Sequence, residues 1–194
     1  GFSPNHLLAE PCSRNTAAAI GLMARMIADK DSNAVMAVFP ADHVVANSEN
    51  YIKVLQKAES LAQKSFLVTL GIPPTRPETG FGYLKQGTKI NGFQETYHVE
   101  QFVEKPDIST AKKYLERDTY FWNCGVFVWK ASTLLEELQK HAPDIHSQLK
   151  TLTDCLKSSK GKFAHLEMNA KGCEIFSSLP LSLIHISEPT RLGM

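Results

Sequence analysis

Apolar residues recur along this chain at two spacings, one suited to helices and one to buried strands. From Ala17 to Ala28 the residues are apolar almost without break, with Arg25 the clear exception. A helix that is apolar all round is usually buried on more than one side. Before it, Ser13-Arg14-Asn15-Thr16 is rich in residues that cap helices. Ala34–Phe39 (AVMAVF) is a continuous apolar run closed by Pro40, the pattern of a central parallel strand covered on both faces. Between Ser48, the expected N-cap, and Lys64, one helical stripe holds Tyr51, Val54, Leu55, Ala58, Leu61 and Ala62, with lysines and glutamines opposite. Phe66–Ile72 (FLVTLGI) predicts a second buried strand. Strand and helix alternating in this way predict an α/β fold with right-handed crossovers.

Pro73–Gly87 carries three prolines and three glycines and predicts a loop. Tyr97–Val103 is strand-like. Ser109–Arg117 predicts a short helix with Ala111, Tyr114 and Leu115 inward, and Val126–Trp129 a further strand. Ser132–Lys140 predicts a helix burying Leu134, Leu135 and Leu138. Pro143 and Asp144 open another, reaching about Leu156. Leu7–Pro11 reads as a short strand ending at its proline. The stretch from about Leu181 to Met194 (LSLIHISEPTRLGM) resembles a translated adaptor or vector scar and is set apart as a non-native tail, a native edge strand and tail being the alternative.

Composition narrows the function classes. The 194 residues suffice for one domain with a substantial core. The net charge is +1, and no block of like charge stands out. That removes any electrostatic reason to expect nucleic acid or an anionic membrane as partner. No apolar run approaches the ~20 residues that span a bilayer. Cys12, Cys124, Cys155 and Cys173 are scattered without metal-ligand spacing, which suggests reduced thiols in a cytoplasmic protein. Gly1 is not an initiator methionine, so the start reads as an interior cut and a missing signal segment carries little weight.

Five short stretches carry candidate chemistry. In Phe39-Pro40-Ala41-Asp42-His43 a carboxylate follows the end of a strand, where ligands of open α/β sheets sit. Asp42 there either binds Mg²⁺, a hard cation that keeps phosphates close, or caps the next turn; His43 alone is more often structural. In Pro77-Glu78-Thr79-Gly80-Phe81-Gly82-Tyr83 the glycines let backbone approach a ligand and donate amides to sugar hydroxyls, or simply make a turn. Glu104-Lys105-Pro106 sets an acceptor for hydroxyls beside a compact cation for phosphate, or is a solvated surface pair. Asn123, in Trp122-Asn123-Cys124-Gly125, offers donor and acceptor to a polyol. Cys124 lacks a neighbouring base and is not read as a nucleophile. Glu10 has the shape to accept two hydrogen bonds from guanine. The amides at Asn15 and Thr16 could meet phosphate, or this stretch is a strand–turn–helix corner.

Taken in order, EPCSRNTA, FPADHVV, VTLGIPPTRPETGFGYL, VEQFVEKPD and FWNCGVFVWKA resemble the mannose-1-phosphate guanylyltransferases of the nucleotidyltransferase family. The resemblance runs from about Leu7 to Lys150 and on toward Leu179. It implies a Rossmann-like nucleotidyltransferase fold, a mixed, mostly parallel sheet flanked by helices. It implies transfer of GMP from GTP to mannose 1-phosphate, giving GDP-mannose and pyrophosphate, with Mg²⁺. Carried over by position, Asp42 holds the metal and Lys105 the sugar phosphate. Glu104, Asn123 and the Gly80 amide hold the mannose ring, and Glu10 reads guanine, with Asn15 and Thr16 at the phosphates. Two family features are missing: a loop of the type GGxGTRLWP, and a second metal-binding aspartate in a segment like SIDYAVMEK, expected after Phe176–Pro180. The expected organisation is therefore a catalytic domain, partial, over 1–180 and a non-native tail over 181–194, with little transferase activity in this chain alone. A non-catalytic nucleotide-sugar-binding paralogue and a pyrophosphorylase for another sugar 1-phosphate are the alternatives. A homo-oligomer is left open.

Overall fold

The structure, a computed structural model, describes residues 7–158, 165–182 and 192–193. In chain order its elements are α1 (Asn15–Ala28), β1 (Val35–Val38), α2 (Ser48–Ala62), β2 (Leu67–Ile72), β3 (Gly82–Lys89), β4 (Tyr97–Glu104), α3 (Ile108–Leu115), β5 (Tyr120–Lys130), α4 (Ala131–His141), α5 (Pro143–Asp154), β6 (Leu156–Ser158), β7 (Leu166–Met168), α6 (Ala170–Ser178) and β8 (Leu192–Gly193). They fall into two compact units, Gly1–Ala34 with Leu134–Ser187, and Val35–Thr133 with Glu188–Met194.

The first unit is mainly helical. As the sequence predicts, α1 buries residues on several sides: Ala17, Ala18, Ile20, Gly21, Leu22 and Ala24. A Cβ at Gly21 would lie 3.0 Å from Leu138 and 3.5 Å from Leu149, so the glycine lets α1 lie close against α4 and α5. Pro143 opens α5, where its missing N–H is harmless, and Ile145, Leu149 and Leu152 are buried. The β6–β7 hairpin and α6 were not anticipated. Asn169 caps α6, its side chain accepting the Gly172 N–H at 2.9 Å. The expected capping by Asn15 or Thr16 gives way to a helix that starts at Asn15, with Arg14 at the N-cap and no side-chain cap bond there. Asn15 sits in the left-handed region at φ 58°, which asparagine tolerates better than most residues.

The second unit is a sheet with helices. Strand order is β1-β5-β2-β8-β4-β3, and β5 also pairs with β3. The expected mostly parallel sheet is corrected: β5 runs antiparallel to β1, β2 and β3, β3 and β4 form an antiparallel pair, and β2–β8 is the parallel pairing among the described residues. Continuous apolar runs report burial, not direction. The long β5 inserts between β1 and β2, so these two strands share a direction without touching. β1 ends the strand order and is not covered on both faces, since Ala37 is exposed and Phe39 is 49% exposed. β3 begins at Gly82, inside the expected loop. The α2 stripe is confirmed, with Ala58, Leu61 and Ala62 buried against Val68, Ile90 and Val128. Its cap is Asn47 rather than Ser48, accepting the Asn50 N–H at 3.0 Å. On α3, Ala111 and Tyr114 pack inward against Tyr83, Tyr120 and Trp122 as expected, but Leu115 stays exposed. Of the stretch from Leu181, residues 183–191 and 194 lie outside the described residues; Leu192 and Gly193 pair with β2.

Candidate functional site

Register brings four of the sequence-predicted residues to one rim of the sheet. Gly82 at the start of β3 pairs with Glu104 at the end of β4. Tyr83 pairs with Trp122, and Ile72 and Gly71 at the end of β2 pair with Trp122 and Asn123. The end of β1 joins the same edge, since Val38 pairs with Phe127. The loop holding Gly80, the Glu104–Lys105 pair and Asn123 therefore share that rim, and Asp42 follows it out of β1. Pro40 anchors that exit: its ring lies 3.2 Å from where a Cβ on Gly125 would be.

Glu104 and Lys105 form a compact acid–base pair, with Nζ 3.5 Å from Oε1. Lys105 has φ 45°, a strained conformation for a residue with a Cβ, and its N–H donates to the Phe81 carbonyl at 3.2 Å. The backbone thus turns sharply just past the strand. Its side chain is 62% exposed and Glu104's is 33%. A Cβ on Gly82 would stand 2.8 Å from the Phe102 ring and 3.0 Å from Glu104 Oε2. The glycine therefore leaves the space that the Glu104 carboxylate uses.

Asn123 sits at a bulge. From Thr69 to Gly71 β2 advances two residues, whereas their partners step from Phe127 to Asn123 on β5. The surplus falls at Cys124 and Gly125, and Gly125 takes φ 73°. Bulges re-aim side chains in this way. Asn123 Oδ1 accepts from Thr69 Oγ1 at 2.9 Å and from the Gly125 N–H at 3.1 Å. The expectation that Asn123 offers both donor and acceptor to a ligand is thereby corrected: its oxygen is engaged internally and its NH₂ is what it has to offer.

The glycine loop is also internally bonded. Gly80 N–H donates to Glu78 Oε1 at 3.1 Å, and Arg76 donates to Glu78 Oε2 through Nε at 3.2 Å and Nη2 at 3.1 Å. The Gly80 amide, expected to meet a sugar hydroxyl, is therefore occupied by Glu78. The Gly80 amide, then Arg76, hold the Glu78 carboxyl below the ordinary carboxylate value. The Glu78 N–H donates to the buried Tyr83 hydroxyl at 2.9 Å, pinning the loop to β3. Arg76 lies 5.5 Å over the Trp122 ring, and Phe81 meets that ring edge-on at 5.4 Å. Trp122 Nε1 is buried without a partner among the described residues. Thr69 is given no place in the candidate stretches of the sequence, and Arg76, Glu78 and Trp122 stand in its quoted motifs without an assigned role. The Arg-x-Glu spacing beside glycines was the visible signal; Thr69 looked like any β-branched strand residue.

Asp42 and His43 are exposed, and among the described residues the Asp42 carboxylate has no hydrogen bond or ion pair. No group of three metal-ligating side chains occurs among the described residues. Asp42 is thus a lone exposed carboxylate on the loop past Pro40; Mg²⁺ takes one or two such carboxylates and completes its shell with water and substrate phosphate. Burial pushes the Cys124 thiol above its ordinary value, which agrees with its exclusion as a nucleophile. Glu10, Asn15 and Thr16 belong to the first unit. Glu10 follows the bridge of Leu8 to Leu166 and is exposed. The Ala17 N–H is taken by the Ser182 carbonyl at 3.0 Å, so that amide of the α1 start is not open to phosphate.

The chain matches the family model described as Nucleotidyl transferase over residues 4–164. It is 39% identical over 148 residues to a mannose-1-phosphate guanylyltransferase of Sinorhizobium fredii, covering 76% of this chain and 28% of that protein. Among solved structures, a mannose-6-phosphate isomerase of Helicobacter pylori aligns with TM-score 0.80 and 31% identity, over 96% of this chain and 70% of that one. A mannose-1-phosphate geranyltransferase of Thermus thermophilus aligns with TM-score 0.77 and 32% identity, over 95% and 50%. The chain spans well under half the length of curated relatives it matches, for example 40% of one from Vibrio cholerae and 28% of the Sinorhizobium fredii protein. No helix among the described residues is long and apolar enough to cross a membrane.

Proposed function

The chain belongs to the nucleotidyl transferase family, and on that premise we propose that the protein transfers GMP from GTP to mannose 1-phosphate, yielding GDP-mannose and pyrophosphate. The observation that carries this is the rim itself: a carboxylate–ammonium pair, an amide nitrogen and a glycine loop lie together at the strand ends, where α/β sheets take ligands. In the reaction a sugar-phosphate oxygen bonds to the α-phosphorus of GTP while the bond to the leaving pyrophosphate breaks. No covalent enzyme intermediate is needed. The residues must hold two anions that repel each other and offset the charge that builds between them.

Each residue then has a role its chemistry suits. Glu104 accepts from a mannose hydroxyl, and the Asn123 NH₂ donates to another oxygen of the ring. Lys105 offsets the sugar phosphate as a compact cation. Gly80 joins them when Glu78 gives up its amide. In the first unit, taken by itself, the family resemblance assigns Glu10 to guanine and Asn15 and Thr16 to substrate binding. Asp42 would hold Mg²⁺, whose charge would draw the phosphates together and weaken repulsion toward the attacking oxygen. Removing one well-aimed electrostatic contact of this kind costs ~3 kcal/mol of barrier, or roughly a hundredfold in rate. The four cysteines are all free, which fits work in the reducing cytoplasm.

The test, on a protein spanning the full length of its relatives because this chain alone is expected to transfer little, is pyrophosphate release from GTP and Mg²⁺ on addition of mannose 1-phosphate, run beside glucose 1-phosphate and with ATP and UTP in place of GTP. The proposal expects the GTP–mannose pair to lead, and Lys105→Ala to raise KM for the sugar phosphate. Preference for another sugar or base, or indifference to Lys105, would contradict it.

A further inference from the structure

We propose that Thr69 is a positioning residue for the sugar site: its buried hydroxyl, together with the Gly125 amide, locks the Asn123 carboxamide so that only the NH₂ is offered to a ligand. This deepens, and rests on, the assignment of Asn123 as a sugar contact. Thr69 is fully buried in the middle of β2, between Val68 and Leu70. A hydroxyl there must find partners within the protein. It has two acceptors, Asn123 Oδ1 at 2.9 Å and the Val126 carbonyl at 3.1 Å, and one proton to share between them. The Gly125 N–H, 3.1 Å from the same side-chain atom, can only donate. That atom must therefore be the oxygen, which settles the orientation of an otherwise ambiguous amide.

The consequence is chemical selectivity. An unrestrained asparagine can flip to suit either a donor or an acceptor. Here a flip would set an NH₂ against the Gly125 N–H and leave a part-buried donor without a partner. Both bonds depend on the bulge, because Gly125 reaches Asn123 only by taking φ 73°. Asn123 thus demands an acceptor, a hydroxyl or phosphate oxygen. Gly125 sets that polarity and Thr69 holds the amide in place, neither touching the ligand.

The experiment is calorimetric titration of mannose 1-phosphate into wild-type protein, Thr69→Val, Thr69→Ser, Asn123→Asp and the Thr69→Val/Asn123→Asp double variant. An aspartate at 123 keeps both internal bonds, since a carboxylate accepts from Thr69 and Gly125, yet cannot donate outward. It should weaken binding about tenfold or more. Thr69→Val should weaken it about fivefold, Thr69→Ser should restore most of that, and Thr69→Val should cost nothing further once Asn123 is aspartate. A structural role alone would give neither the rescue nor this non-additivity. Should Thr69→Val fail to fold, the Asn123 side-chain NH₂ signals of the wild type serve instead. They should be two sharp resonances that shift with mannose 1-phosphate, and resonances that stay still would overturn the proposal. Weakened binding in Asn123→Asp with none in Thr69→Val, or losses that multiply in the double variant, would overturn the positioning role alone. Wild-type binding in Asn123→Asp would instead remove the sugar contact on which it rests.

Discussion

Replacing Gly125 by alanine tests whether the bulge is held by backbone conformation and by Pro40 together, and Gly92 provides the control. Both glycines have positive φ, 73° and 82°, but a Cβ at Gly92 meets nothing within 4 Å, whereas one at Gly125 stands 3.2 Å from Pro40 Cγ. Forcing an alanine into the left-handed region costs ~1–2 kcal/mol, and alanine recovers about 0.4–1 kcal/mol by restricting the unfolded chain. Gly92→Ala should therefore lose roughly 0.5–1 kcal/mol. Gly125→Ala carries the same strain plus a contact with a ring that cannot rotate aside, and overpacking of that kind costs ~1–3 kcal/mol. In a protein of this size each kcal/mol moves Tm by about 2–4 °C, so Gly125→Ala should melt lower than Gly92→Ala by at least that much. The two variants should part on ligand binding as well. Shifting residue 125 pulls its N–H from Asn123, so affinity for mannose 1-phosphate falls in Gly125→Ala and holds in Gly92→Ala. Thermal unfolding followed by circular dichroism, with parallel titrations, measures both. Equal melting temperatures for the two variants would refute the packing argument, and equal affinities would refute the link to Asn123.

Gly82→Ala pushes on the ends of the Phe102 and Glu104 side chains rather than on backbone, so stability should fall by only about 1 kcal/mol while affinity for mannose 1-phosphate drops severalfold; wild-type affinity in a folded variant would show that the Glu104 carboxylate is not in use. The Asp107 carboxyl is held well below its usual value by the Ser109 hydroxyl, then the Thr110 N–H and hydroxyl. A depressed folded value stabilises above the unfolded value and is lost as pH falls. Urea midpoints of wild type and the non-titrating Asp107→Asn should accordingly differ most near neutrality and converge as pH drops below about 4; a gap that widens in acid would contradict the assignment. For Asp42→Asn, Mg²⁺ should no longer strengthen GDP-mannose binding, whereas binding without metal should be nearly unchanged; a persistent metal effect would move the cation elsewhere.

The elements most legible in the sequence were those whose burial is one-sided or complete. The α2 stripe and the apolar run of β2 specify burial directly, and α5 carries its own proline start. Strand direction was not legible, because AVMAVF would read the same in a parallel or an antiparallel sheet. The length of β5 was hidden by Asn123-Cys124-Gly125, a polar and glycine interruption that in space is a bulge within one strand. β3 was masked by Lys85, Gln86 and Gly87, although Tyr83 and Leu84 at its start are buried. The candidate site was legible as an ordered set of motifs, not as single residues. What the sequence concealed was their internal bonding: that Glu78 occupies the Gly80 amide, and that Gly125 and Thr69 together hold Asn123 as a donor. Both depend on partners brought together by the register of the sheet, and Thr69 lies 54 residues from Asn123.

The central claim is that one rim of the sheet binds a mannose phosphate. The most direct measurement is a titration of isotopically labelled protein with mannose 1-phosphate, following backbone and side-chain amide resonances. The account predicts shifts concentrated at Gly80, Glu104, Lys105 and the Asn123 NH₂, with Asp42 joining when Mg²⁺ and GDP-mannose are used. Shifts confined to residues away from this rim, such as the β6–β7 hairpin and α6, with these four unmoved, would contradict it.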